Sequence, residues 1–177
     1  MVPTWIIDPT HSEIGFRVKH LMISTVKGQF RRFLATATTE GDVWENASLH
    51  FEAEVDSIET GVEQRDGHLK SEDFFHASAY PTLRFVSTAF RAKSEDTYEV
   101  VGNLTIRDVT LPVTLKAIYG GAMTDFYGQT KAGFEISGNI SRKEFNLKWD
   151  AVTEAGGVVV SDDVKLVLDV QMTKQAV

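Results

Sequence analysis

The stretch Ala47-Ser-Leu-His-Phe-Glu-Ala-Glu-Val55 alternates apolar and polar residues from end to end. Its odd-numbered positions are apolar, with Leu49 and Phe51 at the centre, and its even-numbered positions are polar. Because successive side chains of a β-strand point to opposite faces, this pattern predicts a strand with one buried face. This alternation is the cleanest in the chain.

The same period of two recurs on both sides of this stretch, and turns separate the segments. Between Phe30 and Phe33 the buried parity changes, which predicts a bulge at Arg31-Arg32. Pro112 cannot donate to a strand ladder, so its strand is expected to have an irregular start or an open edge there. The predicted strands lie at about 12–20, 27–38, 47–55, from 83 onward, 98–106, 113–119, 134–140 and 164–172, and a polar loop is expected at 120–129.

Eight strands joined mostly by short turns predict an all-β antiparallel meander. A meander of this size usually closes into a barrel, because closure removes the exposed edges. A two-sheet sandwich is the competing architecture. The sequence contains no repeat or linker, so we expect residues 1–177 to form a single domain.

Residues 57–87 are the one long interruption of the strand pattern. Thr60 and Glu63 have the spacing of a capping box, which predicts a helix that starts near Gly61. A connection of this length in a compact β domain is usually functional, often a lid or a binding loop. The alternative is a plug that only closes one end of the core.

The second half of this connection is aromatic. Ser71 is placed to cap a further short turn that contains Phe74 and Phe75, and Pro81 ends helical structure by favouring an extended residue before it. The sequence therefore predicts a short helix and a lid segment, residues 57–81, between the third and fourth predicted strands.

Composition excludes several classes of function. A net charge of -7 argues against nucleic-acid binding and, more weakly, against docking on an anionic membrane. The chain has no cysteine, so it forms no disulfide. It also lacks an apolar run long enough to predict a transmembrane segment. Residues 1–5 show no signal peptide, so the expected compartment is the cytoplasm, or the periplasm if a signal was removed.

The buried parity combines bulky and very small residues. Gly102 and Gly138 lie on it, together with several alanines and phenylalanines. An eight-stranded barrel either fills with its own side chains or holds one small ligand, so the small residues favour an apolar cavity. The alternative is a packed core in which the glycines only relieve strand curvature.

Polar chemistry is sparse in the sequence. It shows no nucleophile elbow, no phosphate-binding glycine loop and no paired-carboxylate signature. The alternative hypothesis of a metal-dependent or hydrolytic enzyme would depend on two groups of residues. They are Asp8, His11 and His20 near the first strand, and Arg65, Asp66 and His68 in the lid segment.

The chain resembles the YceI-like, polyisoprenoid-binding family from Trp5 to about Gln171, nearly its whole length. The lid motif is the most specific part of the resemblance. Asp108 and Asn146 stand where the family usually has glycine, and both residue types tolerate the left-handed backbone. The matching residues are Trp5-Ile-Ile-Asp8-Pro-Thr-His11-Ser12, Phe16, His20, Gly28, Phe30, Ser57-Ile58, Thr60, Arg65-Asp66, His68-Leu69, Asp73-Phe74, Tyr80-Pro81, Phe85, Ser87, Gly102-Asn-Leu104-Thr105-Ile106, Ser141-Arg-Lys-Glu-Phe145 and Trp149.

The resemblance implies an extended, lipocalin-like barrel that binds, stores or transports a long polyisoprenoid, such as a quinone tail or a polyprenol, without enzymatic activity and without a cofactor or metal. Phe74 and Phe75 would close one end of the tunnel. Arg65, Asp66 and His68 would hold a head group or only anchor the lid. The expected tunnel lining is Phe16, Val18, Phe30, Leu49, Phe51, Phe85, Gly102, Leu104, Phe134, Ile136, Gly138, Leu166 and Leu168.

An edge near Pro112, or an apolar patch beside the lid, would allow two copies to form a homodimer. A bulky side chain at Gly102 or Gly138 is expected to block the tunnel while the barrel stays folded.

Overall fold

The structure is a computed structural model that describes residues 2–150 and 159–176. Over these residues the chain forms a single eleven-stranded antiparallel sheet and one short α-helix. No helix in the described part of the chain is long and apolar enough to cross a membrane. The elements are β1 (Thr4–Ile7), β2 (Glu13–His20), β3 (Ser24–Phe30), β4 (Phe33–Glu40), β5 (Val43–Glu54), β6 (Ile58–Glu59), α1 (Glu63–Lys70), β7 (Thr82–Ala92), β8 (Thr97–Ile106), β9 (Val109–Thr124), β10 (Thr130–Ser141) and β11 (Val160–Lys174).

The sheet closes into the predicted eight-stranded barrel because several of the short strands are halves of one interrupted strand. Both β1 and β2 pair with β11, at Ile7–Met172 and Ile14–Leu168, so they form one side of the barrel together. The next side of the barrel is likewise made of two short strands, because β3 pairs with β2 and β4 pairs with β1. The pairing of β1 with β11 closes the circle. The all-β barrel prediction is confirmed.

The predicted bulge at Arg31-Arg32 is a complete break between β3 and β4. The Arg31 amide donates to the Ser57 carbonyl at 3.1 Å, and the Arg32 amide donates to the Ser57 hydroxyl oxygen at 3.0 Å. Ser57 therefore supplies the acceptors that a neighbouring strand would supply elsewhere. This contact fixes the entry to the lid segment against the barrel wall.

The prediction was wrong about one strand and about the length of one loop. The prediction missed β1, which is only four residues long and therefore shows too little alternation to detect. The predicted loop at 120–129 is shorter, since β9 continues to Thr124 and β10 begins at Thr130. Asp125 closes this turn by accepting the amides of Tyr127 and Gln129 at 2.9 and 3.0 Å.

Pro112 lies inside β9, opposite Asn103 of β8. On the other side of β9, pairing with β10 begins only at Lys116. The proline therefore occupies a position where no ladder donor is needed, as its sequence predicts.

The lid helix α1 forms, but the predicted capping box does not. The helix starts at Glu63 with Val62 at the N-cap, and no side chain caps it. The Thr60 hydroxyl donates to Asp66 and accepts from Arg65 Nε at 2.7 Å. Arg65 and Asp66, in the first turn of the helix, form hydrogen bonds with the hydroxyl that would otherwise cap it.

The short turn predicted to start at Ser71 forms in the second half of the lid segment. The Asp73 amide donates to the Ser71 hydroxyl oxygen at 3.3 Å, and the Phe74 amide donates to the Ser71 carbonyl at 3.0 Å. The turn directs Phe74 into the core, where it is almost completely buried.

Candidate functional site

A cavity of about 420 Å³ occupies the inside of the barrel. This volume lies within the range of roughly 300 to 1,000 Å³ that is usual for small-molecule sites. Most of the predicted lining lies on its wall, contributed by strands around the whole barrel and by the lid. These residues are Phe16, Val18, Phe30, Leu49, Phe51, Phe74, Phe75, Phe85, Leu104, Phe134, Ile136, Leu166 and Leu168.

The two predicted lining glycines lie behind other side chains. A Cβ atom on Gly102 would fall 2.4 Å from the Phe85 ring, and one on Gly138 would fall 2.6 Å from Cδ2 of Leu115. Phe85 and Leu115 border the cavity, and the glycines make room for them. A leucine at Gly102 would also meet the Val86 carbonyl, at 2.6 Å from the Cβ alone. It would therefore disturb the sheet, and the expectation of a blocked but folded barrel does not hold for this position.

One end of the cavity is closed by packed aromatic rings, which we call the aromatic floor: Trp5, Trp44, Phe90, Tyr98, Tyr119 and Phe134. Trp44 is central, with ring centroids 5.0 Å from Trp5 and 4.8 Å from Phe134. The buried Trp5 indole donates to the Thr39 hydroxyl oxygen at 3.1 Å. This bond satisfies the polar group of the Trp5 indole, so the ring packs in the floor without an unpaired donor.

Sequence reasoning missed Trp44 because it has the wrong parity for the inward face of the 47–55 stretch. Asn46 has φ 66°, a left-handed conformation that reverses the alternation between Trp44 and Ala47. Both Trp44 and Ala47 are consequently buried. An asparagine at the start of a clean alternating run was the available signal, since asparagine tolerates this conformation.

The other end of the cavity is the mouth, defined here by the polar residues that border it: Lys19, His20, Thr60, Arg65, His68 and Arg142. His68 contacts Asp73 through Nε2 at 2.9 Å, and its ring packs edge-on against Phe74 and Trp149 at 5.1 and 4.8 Å. Arg65 donates through Nη2 to the Thr60 carbonyl at 2.7 Å. The mouth is therefore the only part of the described wall where charged side chains meet the apolar interior.

Arg142 is the buried cation of the mouth, with 3% of its surface exposed. It donates to the carbonyls of Leu147, Trp149, Val160 and Ser161 at 2.6 to 3.0 Å. Burial lowers its pKa, while nearby Asp150 and Asp162 oppose that shift. The guanidinium ties the segment after β10 to the start of β11. The prediction quoted Arg142 only as part of a family motif and gave it no role.

The structure brings together only part of each of the two polar groups considered for an enzyme. His11 contacts Asp8 at 2.9 Å, but His20 lies at the opposite end of β2. The hydrogen bond from the Thr10 hydroxyl is the largest effect on Asp8; burial opposes it, His11 adds to it, and the pKa of Asp8 is lowered to about 2. In the lid, Asp66 accepts from Thr60 and does not border the cavity. Among the described residues, no group of three or more His, Asp or Glu side chains could hold a metal ion.

Comparison with known sequences gives a consistent result. The profile of the YceI-like domain matches residues 5–172. A UPF0312 protein of Staphylococcus epidermidis is 36% identical over 161 residues, which cover 89% of this chain and 90% of that protein. A UPF0312 protein of Photorhabdus laumondii is 38% identical over 144 residues, covering 81% of this chain and 74% of that protein.

Comparison with solved structures finds the same barrel. The YceI protein of Campylobacter jejuni is 30% identical, with a TM-score of 0.77 over 89% of this chain and 90% of that one. BcnA of Burkholderia cenocepacia shares the fold with a TM-score of 0.81 at 22% identity, over 93% and 98% of the two chains. A polyisoprenoid binding domain from Saccharophagus degradans shares it with a TM-score of 0.68 at 16% identity, over 98% of both chains.

Proposed function

The chain belongs to the YceI-like domain family, and on that premise we propose that it binds a long-chain polyisoprenoid lipid, such as a quinone tail or a polyprenol, without changing it chemically. The observation that carries the proposal is the cavity of about 420 Å³, whose wall is apolar except at the mouth. The binding activity in the name of the Saccharophagus degradans domain, which has the same fold, supports the same ligand class.

An isoprenoid chain suits this cavity for a physical reason. It offers only apolar surface, and each five-carbon unit taken out of water gains about 3 to 4 kcal/mol before the cost of ordering the chain. The aromatic and aliphatic wall satisfies such a ligand without any buried polar group. Storage or transport of the lipid would follow from reversible binding.

The polar head group of the lipid is proposed to lie at the mouth. Arg65 and His68 border the cavity there, close to solvent and within the lid segment. Both also make contacts that hold the lid, so head-group binding and lid anchoring share the same side chains. Asp66 is assigned to anchoring alone.

The test is native mass spectrometry of the gently purified protein, followed by organic extraction and identification of the lipid. The expected result is one polyprenyl species per chain. Many lipid species at well below one per chain would contradict a dedicated site.

A cavity-filling pair of variants locates the ligand. Ala35 is buried and borders the cavity, so Ala35→Phe places a ring in the lipid's path. Ala92 is exposed at the end of β7, so Ala92→Phe adds the same ring outside the barrel. We expect the first variant to lose most of its bound lipid and the second to keep it. Equal lipid in both folded variants would refute this placement of the ligand.

A further inference from the structure

The turn between β2 and β3 exposes three large apolar side chains. Leu21, Met22 and Ile23 are exposed, the last two to 64% and 83%. Exposed apolar residues are common singly, but three in a row at the tip of a hairpin form a patch. We call Leu21–Ile23 the apolar tip.

The backbone of the apolar tip does not favour the residues that occupy it. Leu21 and Met22 have φ angles of 52° and 59°, and the Ile23 amide donates to the His20 carbonyl at 3.2 Å. Two successive left-handed residues in a hairpin turn are the setting for Asn-Gly, and other residues cost about 1 to 2 kcal/mol each. Neither stability nor solubility therefore accounts for leucine and methionine here.

A row of cations lies behind the apolar tip, on the outer face of the barrel. Arg17 of β2 is opposite Lys27 of β3 and Lys165 of β11, and all three are exposed. Like charges directly opposed on neighbouring strands are destabilising. In the described ranges, no carboxylate forms an ion pair with any of the three. Lys19, nearer the tip, donates to the Thr25 hydroxyl oxygen at 3.0 Å.

The acidic residues on the same strands are divided between the two ends. Glu13 pairs with Asp169 at the far end of β2, whereas Asp162 and Asp163 lie near the tip. Asp162 accepts from the Ser141 hydroxyl and the Lys143 amide, and Asp163 is exposed. The net charge of -7 belongs to the whole chain. Charges separated by more than a Debye length of about 8 Å are largely screened, so a surface that touches the tip meets the local cations.

The apolar tip also adjoins the mouth of the cavity. His20 borders the cavity, and the Leu21 amide donates to the Val159 carbonyl at 2.8 Å, where Val159 borders the cavity as well. A surface bound by the tip would thus lie next to the opening.

We propose that the apolar tip and the cation row dock this protein on an anionic phospholipid bilayer with the mouth beside the membrane. The purpose of this docking, direct exchange of the lipid with the bilayer, rests on the proposed function. At about 3.3 Å per residue, Lys19 and Arg17 lie roughly 7 and 13 Å behind Leu21. Apolar side chains of interfacial segments insert about 5 to 10 Å, so the cations reach the phosphate layer.

A second exposed tip provides the matched control. Phe126 and Tyr127 are fully or almost fully exposed in the turn between β9 and β10. This turn lies beyond the aromatic floor, away from the mouth, and its charged residue is Asp125. It presents apolar area without the cation row.

The experiment is flotation of the full chain with vesicles of equimolar phosphatidylcholine and phosphatidylglycerol. We expect Leu21→Asn with Met22→Gly to lower the vesicle partition coefficient by about tenfold or more, because two inserted side chains are lost. The same change suits the turn, so thermal stability should be unchanged or higher. Phe126→Ser should leave partitioning unchanged.

The charges are tested separately. Arg17→Glu with Lys27→Glu should lower partitioning to the anionic vesicles by at least about tenfold, since each cation near such a surface contributes about one factor of five. Partitioning of the unaltered protein should fall with added salt and be weak on pure phosphatidylcholine. Loss of vesicle binding with Phe126→Ser would overturn the proposal. So would unchanged vesicle binding in the double variant of the tip or in the double variant of the cation row.

Failure of docking and failure of the proposed function are distinguishable. Native mass spectrometry of the same samples reports bound lipid whether or not vesicles are bound. Lipid in the cavity without vesicle binding would refute membrane docking and leave the proposed lipid-binding function intact. Vesicle binding through the tip without any lipid in the cavity would refute the proposed function and leave docking intact. If the tip variant instead converts a dimer to a monomer in sedimentation velocity, without vesicle binding, the tip contacts a second copy and docking is overturned.

Discussion

The aromatic floor and the mouth close opposite ends of one barrel by different means. At the floor, Trp5 and Trp44 are 2% and 4% exposed, and their neighbours are other rings. At the mouth, the lid helix α1 buries none of its residues completely. It is held by the hydrogen bonds of Thr60 and by packing around Phe74.

This difference indicates where the barrel can open. A dense aromatic contact opens only when the whole fold opens, because its stability is that of the core. A short helix held by a few polar contacts can open locally at a fraction of that free energy. We therefore expect a ligand to pass through the mouth and the floor to stay closed.

The largest effect is expected at the floor. Trp44→Ala removes a buried indole and leaves a void beside Trp5 and Phe134, which should lower the free energy of unfolding by about 3 to 5 kcal/mol. Urea denaturation followed by circular dichroism measures the change. Phe126→Ala removes an exposed ring and should change stability by less than about 0.5 kcal/mol. Equal effects would mean that the floor is not a packed closure.

The second-largest loss of stability is expected at Arg142, the buried cation of the mouth, and it tests whether part of the mouth is rigid. Arg142→Met removes the donors for the carbonyls of Leu147, Trp149, Val160 and Ser161, and should cost about 2 to 4 kcal/mol. Urea denaturation is again the measurement. Arg142→Lys keeps the charge and some of the donors, so its loss should be smaller. If Arg142→Met left the free energy of unfolding unchanged, these carbonyls would have to form hydrogen bonds with water instead.

A pH-dependent effect is expected at Asp8, on the floor side of β2. Its pKa is about 2 in the folded protein, mainly through hydrogen bonds from Thr10, against an ordinary value of 3.8. A carboxyl with a lowered folded pKa stabilises the fold above its unfolded pKa and loses that contribution as pH falls towards 2. Asp8→Asn should therefore cost about 1 to 2 kcal/mol at pH 7 and little at pH 2. Unfolding at both pH values checks the sign; a pH-independent loss would contradict the assignment.

The smallest change in global stability is expected in the lid. Thr60→Val removes the contacts to Arg65 and Asp66 and should lower the global free energy of unfolding by less than about 1 kcal/mol. Hydrogen exchange of the α1 amides should nevertheless accelerate about fivefold, because that helix opens locally. Thr38→Val, at an exposed position of β4, is the control and should leave α1 unchanged. If α1 exchanges only through global unfolding, the mouth is as rigid as the floor.

The barrel was predictable because its strands alternate over many residues. A run such as 47–55 has one interpretation, and the closed meander follows from eight such runs. Where one residue changes the geometry, the pattern fails, as at Asn46, whose left-handed backbone turns Trp44 inward. The short strand β1 failed for lack of length.

The cavity wall was predictable from the same parity, but the polar contacts of the mouth were not. The capping box at Thr60 was wrong because Arg65 and Asp66 compete for one hydroxyl, and sequence spacing does not rank such competitors. The role of Arg142 depends on carbonyls at 147–149 and 160–161, which only the fold brings together. Gly102 was correctly placed on the inward face, but the Phe85 ring that covers it is a matter of three-dimensional packing.

Strand β11 contacts three partners, β10, β2 and β1, and so forms the seam of the barrel. Among the described residues it is also the last strand in chain order, whereas β1 and β2 are the first. During synthesis the barrel cannot close until residues 160–174 have been made, so the apolar inner faces of the earlier strands stay exposed until then. The cavity is thus a late product of folding, and the closing of the seam is the moment at which a hydrophobic molecule nearby can be enclosed. We expect refolding to be slow, as for other barrels with such distant strand pairs, and to be most prone to aggregation just before that step.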